Sequence, residues 1–342
     1  MTIRQRLFVL LGILSLSSAL FWRSLQRSVP VLQLGQTDVL LVINCTLRRD
    51  RLSAYGHPVP TSPKWHHWLE SSVSMNHHIA QAPWTRPSIG SILTGRYPAA
   101  LGLDSDEDAG SLELVLAEEF LTLAEWFSEQ GYTTIGAVGN PNAKRKFGLA
   151  QGFDHYFEPN RTFKQGLRMR STKELGDELH QLLDKANTKQ PVFALLITVD
   201  THQRVQYEDQ DWAVVDSHYS APASKQKRKI TRLQSTYDAS VHQLDRQLAD
   251  FLELFRKKRD NLLIVQTADH GEGLMTPRHH GRGQADSTVC ARSRGTAVGD
   301  FGDEIESGTR ATKISSGRVR IMPTSNKQPS QKFFYSGSRR AC

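Results

Sequence analysis

Leu262-Leu263-Ile264-Val265-Gln266-Thr267-Ala268-Asp269-His270-Gly271-Glu272-Gly273 is the stretch from which the rest of the chain can be read. An apolar run of strand length ends in a carboxylate, an imidazole and glycines that let the backbone turn. Open α/β sheets bind ligands outside the carboxyl ends of their strands. Asp and His are also sound ligands for a divalent metal. Asp269 and His270 are therefore candidate metal ligands at the edge of a sheet.

Two further apolar runs end in polar groups. Residues 39–43 lead into Asn44-Cys45-Thr46, and residues 192–199 lead into Asp200-Thr201-His202. A strand is also expected over residues 134–138, and Asn140 in the loop behind it can reach the same edge. Helical spacing marks residues 121–130 up to a stop at Gly131, the set Leu175, Leu179, Leu182 and Leu183, and the series Tyr237, Val241, Leu244, Leu248, Phe251 and Phe255. Strands alternating with helices predict an α/β fold with a mostly parallel sheet flanked by helices. Residues 203–233 read as a polar, solvated loop carrying a charge cluster at 225–229, with a substrate-facing loop as the alternative.

In Ala82-Pro83-Trp84-Thr85-Arg86-Pro87-Ser88-Ile89-Gly90-Ser91-Ile92-Leu93-Thr94-Gly95 a hydroxyl precedes a proline suited to a first helical turn, and a glycine closes the pattern. Free backbone N–H groups at such a start favour an anion. Thr85 can serve chemistry there, or simply cap the helix.

Leu47-Arg48-Arg49-Asp50, Tyr55-Gly56, Thr85-Arg86-Pro87-Ser88, Leu93-Thr94-Gly95-Arg96-Tyr97-Pro98, Asp269-His270-Gly271 and His280-Gly281 follow one another in this order. Together they resemble the sulfatase family of the alkaline phosphatase superfamily. The resemblance implies an alkaline-phosphatase-like fold and metal-dependent cleavage or transfer of a sulfate or phosphate ester. It places Thr85 where the family carries its nucleophile. Classical members have a cysteine there, converted to formylglycine within Cys-x-Pro-x-Arg; Thr85-Arg86-Pro87-Ser88-Ile89 has neither the cysteine nor the arginine, so no formylglycine is expected. A threonine instead resembles the phosphoethanolamine and phosphoglycerol transferases and phosphodiesterases of the superfamily.

Aligned on Leu47-Arg48-Arg49-Asp50, Cys45 stands where the family has its first metal-binding Asp, with Asn44 one residue earlier. A thiolate binds zinc well and calcium or magnesium poorly. The expected ligand set of Cys45 or Asn44, Thr85, Asp200, Asp269 and His270 thus favours zinc, with calcium or manganese as alternatives. Cys45 reads equally as an ordinary buried strand cysteine. By resemblance, His202 and His280 contact the ester oxygens or complete a second metal position, while His279 reads as exposed. The competing expectation is an inactive relative kept as a binding or structural module.

The chain has 342 residues and a net charge of +8, to which residues 285–342 contribute ten Lys and Arg against five Asp and Glu. No basic stripe interleaved with aromatics accompanies that charge, so no nucleic-acid partner is expected. Three cysteines imply no disulfide framework. At the N-terminus, Arg4 and Arg6 precede an uncharged stretch over residues 7–22 that Arg23 and Arg27 close. Sixteen residues as a helix reach about 24 Å, so the stretch reads as a signal peptide or a short membrane anchor. Either reading places the protein outside the cytoplasm. After Leu274 no leucine occurs, although about five would be usual in so long a tail. Three segments are expected: a signal or anchor with connector over 1–36, an incomplete catalytic domain over 37–284, and a basic, irregular tail over 285–342, read either as a disordered extension or, the favoured reading, as the product of a non-native frame.

Overall fold

An uninterrupted run of Val, Leu and Ile can be buried on both faces only inside a parallel sheet. In the computed structural model, β1 (Asp38–Asn44) and β5 (Val192–Thr198) are buried at every residue and lie side by side. The structure describes residues 34–75, 78–104, 114–160, 169–186, 189–202, 207–220 and 224–274, with the backbone of 289–292. All fall within one compact unit. The N-terminal segment before residue 34, His279, His280 and all of the tail except 289–292 lie outside the described residues.

The remaining elements follow in chain order: α1 (Pro63–Leu69), β2 (Val73–Met75), α2 (Thr85–Thr94), α3 (Leu123–Glu129), β3 (Thr133–Val138), β4 (His155–Phe157), α4 (Thr172–Lys185), α5 (Asp209–Asp216), α6 (Lys225–Lys258), β6 (Leu262–Ala268) and β7 (Val289–Arg292). The sheet order is β2-β7-β6-β1-β5-β3-β4. From β6 to β4 every pairing is parallel, and β7 and β2 add an antiparallel edge. The expected α/β architecture is present.

Alternation along β1 divides the core. Leu40 and Val42 pack with Leu175 and Leu179 of α4 and with Tyr237, Val241 and Leu244 of α6. Val39, Leu41 and Ile43 pack with Ile89 and Leu93 of α2 and with Trp126 and Phe127 of α3. Capping boxes start α3 at Thr122 and α4 at Ser171, each worth about 1 kcal/mol. Gly95 closes α2 in the left-handed region at φ 67°, the conformation glycine adopts most readily. Within α2, a Cβ on Gly90 would meet Leu103 at 2.7 Å, so the helix seats closely.

One expectation needs correction. Residues 209–216 and 225–233 are not loop: the former are α5 and the latter the first turns of α6, a helix of 34 residues. Apolar spacing is missing there because those turns project past the core and bury little, yet Lys, Arg and Gln are good helix formers. Ser224 accepts a hydrogen bond from Lys227 N at 3.2 Å to start the helix. Within the segment expected to be irregular, Val289–Arg292 forms β7, against Ile264, Val265 and Gln266 of β6. The exposed ladder of β6 selects a short extended segment without regard to its leucine content. Among the described residues no helix is long and apolar enough to cross a membrane.

Candidate functional site

Strand register builds the site. Asn44 lies opposite both Thr198 and Ala268, so the residues that follow the three strands emerge at one level. β3 is aligned with them through Val138 and Ile197, and Gly139 N–H continues the ladder to Ile197 O at 2.9 Å. Cys45, Asn140, Asp200 and Asp269 therefore stand along one edge. Helix α2 brings Thr85 to the same edge, and Ser88, one turn on, donates to the backbone carbonyl of Asp269.

Cys45, Asp269 and His270 are buried, and one potential ligand atom from each lies within 4.8 Å of the others. Thr85 Oγ1 is 3.3 Å from His270 Nε2 and 3.7 Å from Cys45 Sγ. Asn140 Nδ2 donates to Cys45 Sγ and to Thr85 Oγ1, at 3.1 Å in each case. Thr85 is not a helix cap: the N-cap is Trp84, and the threonine hydroxyl is turned into this cluster instead.

The ring of His270 is oriented from behind. Its Nδ1 is 2.8 Å from Gly271 O, a pure acceptor, so Nδ1 donates there and Nε2 is the ring atom turned to Thr85 and Asp269. Asp269 is held similarly: Oδ1 accepts from Thr46 N at 2.9 Å and His270 N at 2.8 Å. Its Oδ2 has no hydrogen-bond partner among the described residues and lies 3.5 Å from His270 Nε2. A carboxylate oxygen and an imidazole nitrogen facing each other, both buried, need a shared cation between them, a proton on Nε2 or a metal ion. With a thiol and a hydroxyl alongside, the donor set fits a divalent metal, and the sulfur fits zinc.

Burial pushes the Cys45 thiol well above its ordinary range, and the neighbouring Asp269 carboxylate adds to the effect. A bound cation reverses that balance, since a coordinating thiol gives up its proton. The backbone at Cys45 is fixed by Thr46 and Thr201, whose hydroxyls both donate to Cys45 O at 2.7 Å. Thr46 itself is left-handed at φ 60°, a conformation costing a threonine about 1–2 kcal/mol. It is held by the Asp269 contact and by Tyr237, whose hydroxyl donates to Thr46 O at 2.7 Å and accepts from Arg48 N at 2.9 Å.

Two expected ligands are engaged elsewhere. Asn44 spans the strands: Nδ2 donates to Thr267 O at 3.4 Å and Oδ1 accepts from Thr198 Oγ1 at 3.0 Å. The carboxylate of Asp200 takes Thr172 N and Gln243 Nε2 at 3.1 Å each on Oδ1, and the Thr172 hydroxyl on Oδ2. It tethers the starts of α4 and β5's outgoing turn to α6 rather than joining the cluster, because the free N–H groups of a helix start satisfy a buried carboxylate. His202, half-buried, closes the turn after β5 through its N–H to Val199 O at 3.1 Å. Asn140 makes more of the cluster than its loop position announced, and Tyr237 gave no polar signal among apolar residues at helical spacing.

Comparison with known proteins agrees with this architecture. The family model for sulfatases matches residues 37–291. Steryl-sulfatase of Rattus norvegicus is 30% identical over 124 residues, covering 35% of this chain and 21% of that protein, so the match spans about a fifth of the relative's length. Among solved structures, the C-terminal periplasmic domain of EcEptC from Escherichia coli, in complex with Zn, is similar with a TM-score of 0.59 at 18% identity, covering 76% of this chain and 73% of that one. A protein in the alkaline phosphatase superfamily from Vibrio parahaemolyticus is similar with a TM-score of 0.53 at 17% identity, over 77% and 62% of the respective chains. With its parallel sheet, its ordered motifs and a family match over most of its length, the chain belongs to the sulfatase family.

Proposed function

We propose that the protein cleaves or transfers a sulfate or phosphate ester, with Thr85 as nucleophile and a divalent metal held by Cys45, Thr85, Asp269 and His270. The observation that carries this reading is the unpartnered Asp269 Oδ2 facing His270 Nε2, beside Cys45 and the Thr85 hydroxyl. When bound, such an ion supplies charge neutralisation for the ester and lowers the pKa of an adjacent hydroxyl. Zinc is the ion we favour, for the thiol.

Asn140 donates to Thr85 Oγ1 and holds it in place; with His270 Nε2 given over to the metal, the threonine proton would leave to solvent and free a lone pair for attack. Thr85 Oγ1 bonds to the sulfur or phosphorus, and the bond to the leaving oxygen breaks with its electron pair on that oxygen. His202 and His280 are the residues we assign to the ester oxygens and to protonation of the leaving group. A water or an acceptor hydroxyl then attacks the sulfo- or phosphothreonine and regenerates Thr85. We place this chemistry in residues 37–284 of an exported protein associated with the membrane through its first 36 residues.

Turnover of p-nitrophenyl sulfate and p-nitrophenyl phosphate by wild type and Thr85→Ala, with bound metal measured on both, tests the proposal. Loss of turnover in a folded variant is expected; near-normal turnover would remove Thr85 from the mechanism. Cys45 in place of the family's Asp favours a second reading, an inactive binding module. For that reading, the wild type would be folded yet lack both turnover and stoichiometric metal.

A further inference from the structure

The first turns of α6 carry a charge pattern that the fold itself does not use. Lys225, Arg228, Lys229 and Arg232 are exposed, and their spacing places all four on one face of the helix. Lys227 adds a fifth cation, and the helix has no acidic residue before Asp238. None of the five makes an ion pair with a described residue. Cations at a helix N-terminus oppose the helix dipole, and like charges three and four residues apart repel one another. Local stability is thus reduced with no offsetting ion pair among the described residues, the kind of conflict that marks functional surface.

Position gives the pattern its meaning. Helix α6 runs antiparallel to the strands: Tyr237 meets Thr46 and Arg48 at the carboxyl edge, and Arg259, just past its end, pairs with Asp38 at the start of β1. From Tyr237 back to Lys225 the helix rises roughly 18 Å, at about 1.5 Å per residue. The first turns of α6, with their basic face, therefore extend past the level of the edge on which Cys45, Thr85, Asp269 and His270 meet. Its apolar side is turned to the protein, through Ile230 and Leu233, which are part-buried. No apolar face is left to enter a bilayer, as a membrane-surface helix requires. Successive anionic groups on a soluble chain match a row of four cations instead.

We propose that Lys225, Arg228, Lys229 and Arg232 form a docking strip for a polyanionic substrate chain, one bearing several sulfate or phosphate groups, whose reactive ester enters the site at the same edge. The inference rests on the ester-cleaving reading above for the fate of the bound chain, while docking is measured separately. The test is fluorescence anisotropy with a labelled heparin dodecasaccharide, on the full chain and on K225Q/R228Q/K229Q/R232Q. Binding by the wild type, at least about tenfold weaker in the variant and weakened by salt, is expected. The variant should keep the wild type's turnover of p-nitrophenyl esters and unfold no more easily, since the substitutions relieve repulsion. Equal binding by the two proteins, or none by the wild type, overturns the proposal. So does strip-dependent binding to phosphatidylglycerol vesicles without binding to the oligosaccharide. Thr85→Ala should bind the oligosaccharide as the wild type does. Strip-dependent binding in a wild type without ester turnover would sink the catalytic reading and leave the docking strip standing.

Discussion

The side-chain amide of Asn140 donates simultaneously to Cys45 Sγ and Thr85 Oγ1, 3.1 Å from each, and so joins the loop after β3 to β1 and α2. Its two protons match two acceptors that would otherwise be free to rotate. Groups that orient metal ligands typically matter by about 10- to 100-fold in affinity or activity. Asn140→Ala is therefore expected to lower turnover of p-nitrophenyl esters within that range while the unfolding midpoint moves little. Unchanged turnover would mean the amide only fills space.

Cys45→Asp places a carboxylate where the family has one. The expected outcome is a shift in occupancy from zinc toward manganese or calcium, measured by elemental analysis after loading with an equimolar mixture of the three ions. A ratio of zinc to manganese and calcium unchanged by the substitution would make Cys45 a core cysteine with no part in the site.

Asp200 separates structure from chemistry. Burial raises its carboxyl pKa, opposed by hydrogen bonds from the Thr172 hydroxyl, Thr172 N–H and Gln243. Asp200→Ala leaves Thr172 N and Gln243 Nε2 without their acceptor, so stability should fall by about 2–3 kcal/mol in urea titrations. Metal content of the folded variant should be unchanged. Loss of metal from a fully folded Asp200→Ala protein would restore Asp200 to the ligand set.

Asp245 gives a pH dependence of defined sign. From α6 it accepts Lys64 N at 2.8 Å and Trp65 N at 2.7 Å, at the start of α1, and burial pushes its carboxyl up to about 7. The folded protein thus retains a proton that the unfolded chain has released above about pH 4, so this group's stabilisation is lost as pH rises toward about 7. Asp245→Asn should flatten that slope. Urea midpoints at about pH 5 and about pH 8 check it, with a difference between the two proteins on the order of a few kcal/mol. A wild type that gains stability relative to Asp245→Asn over the same interval would reverse the assignment.

The sequence by itself determined the central strands, because fully apolar runs such as residues 192–199 have no other place than between neighbours of a parallel sheet. It also singled out the candidate site positions: Cys45, Asp269 and His270 are legible as polar residues following apolar runs, and Thr85 as a hydroxyl at a helix start. Tertiary structure decided which of them meet. Asn44, Cys45 and Asp200 all end strands, yet only register and the direction of each side chain turn Cys45 into the cluster, Asn44 between the strands and Asp200 onto α4. Those directions depend on partners 28 to 223 residues away in the chain, which local periodicity does not encode. The same reason hid β7, which forms because β6 offers an open edge, and the projecting turns of α6, which bury little and so leave no clear apolar period to read.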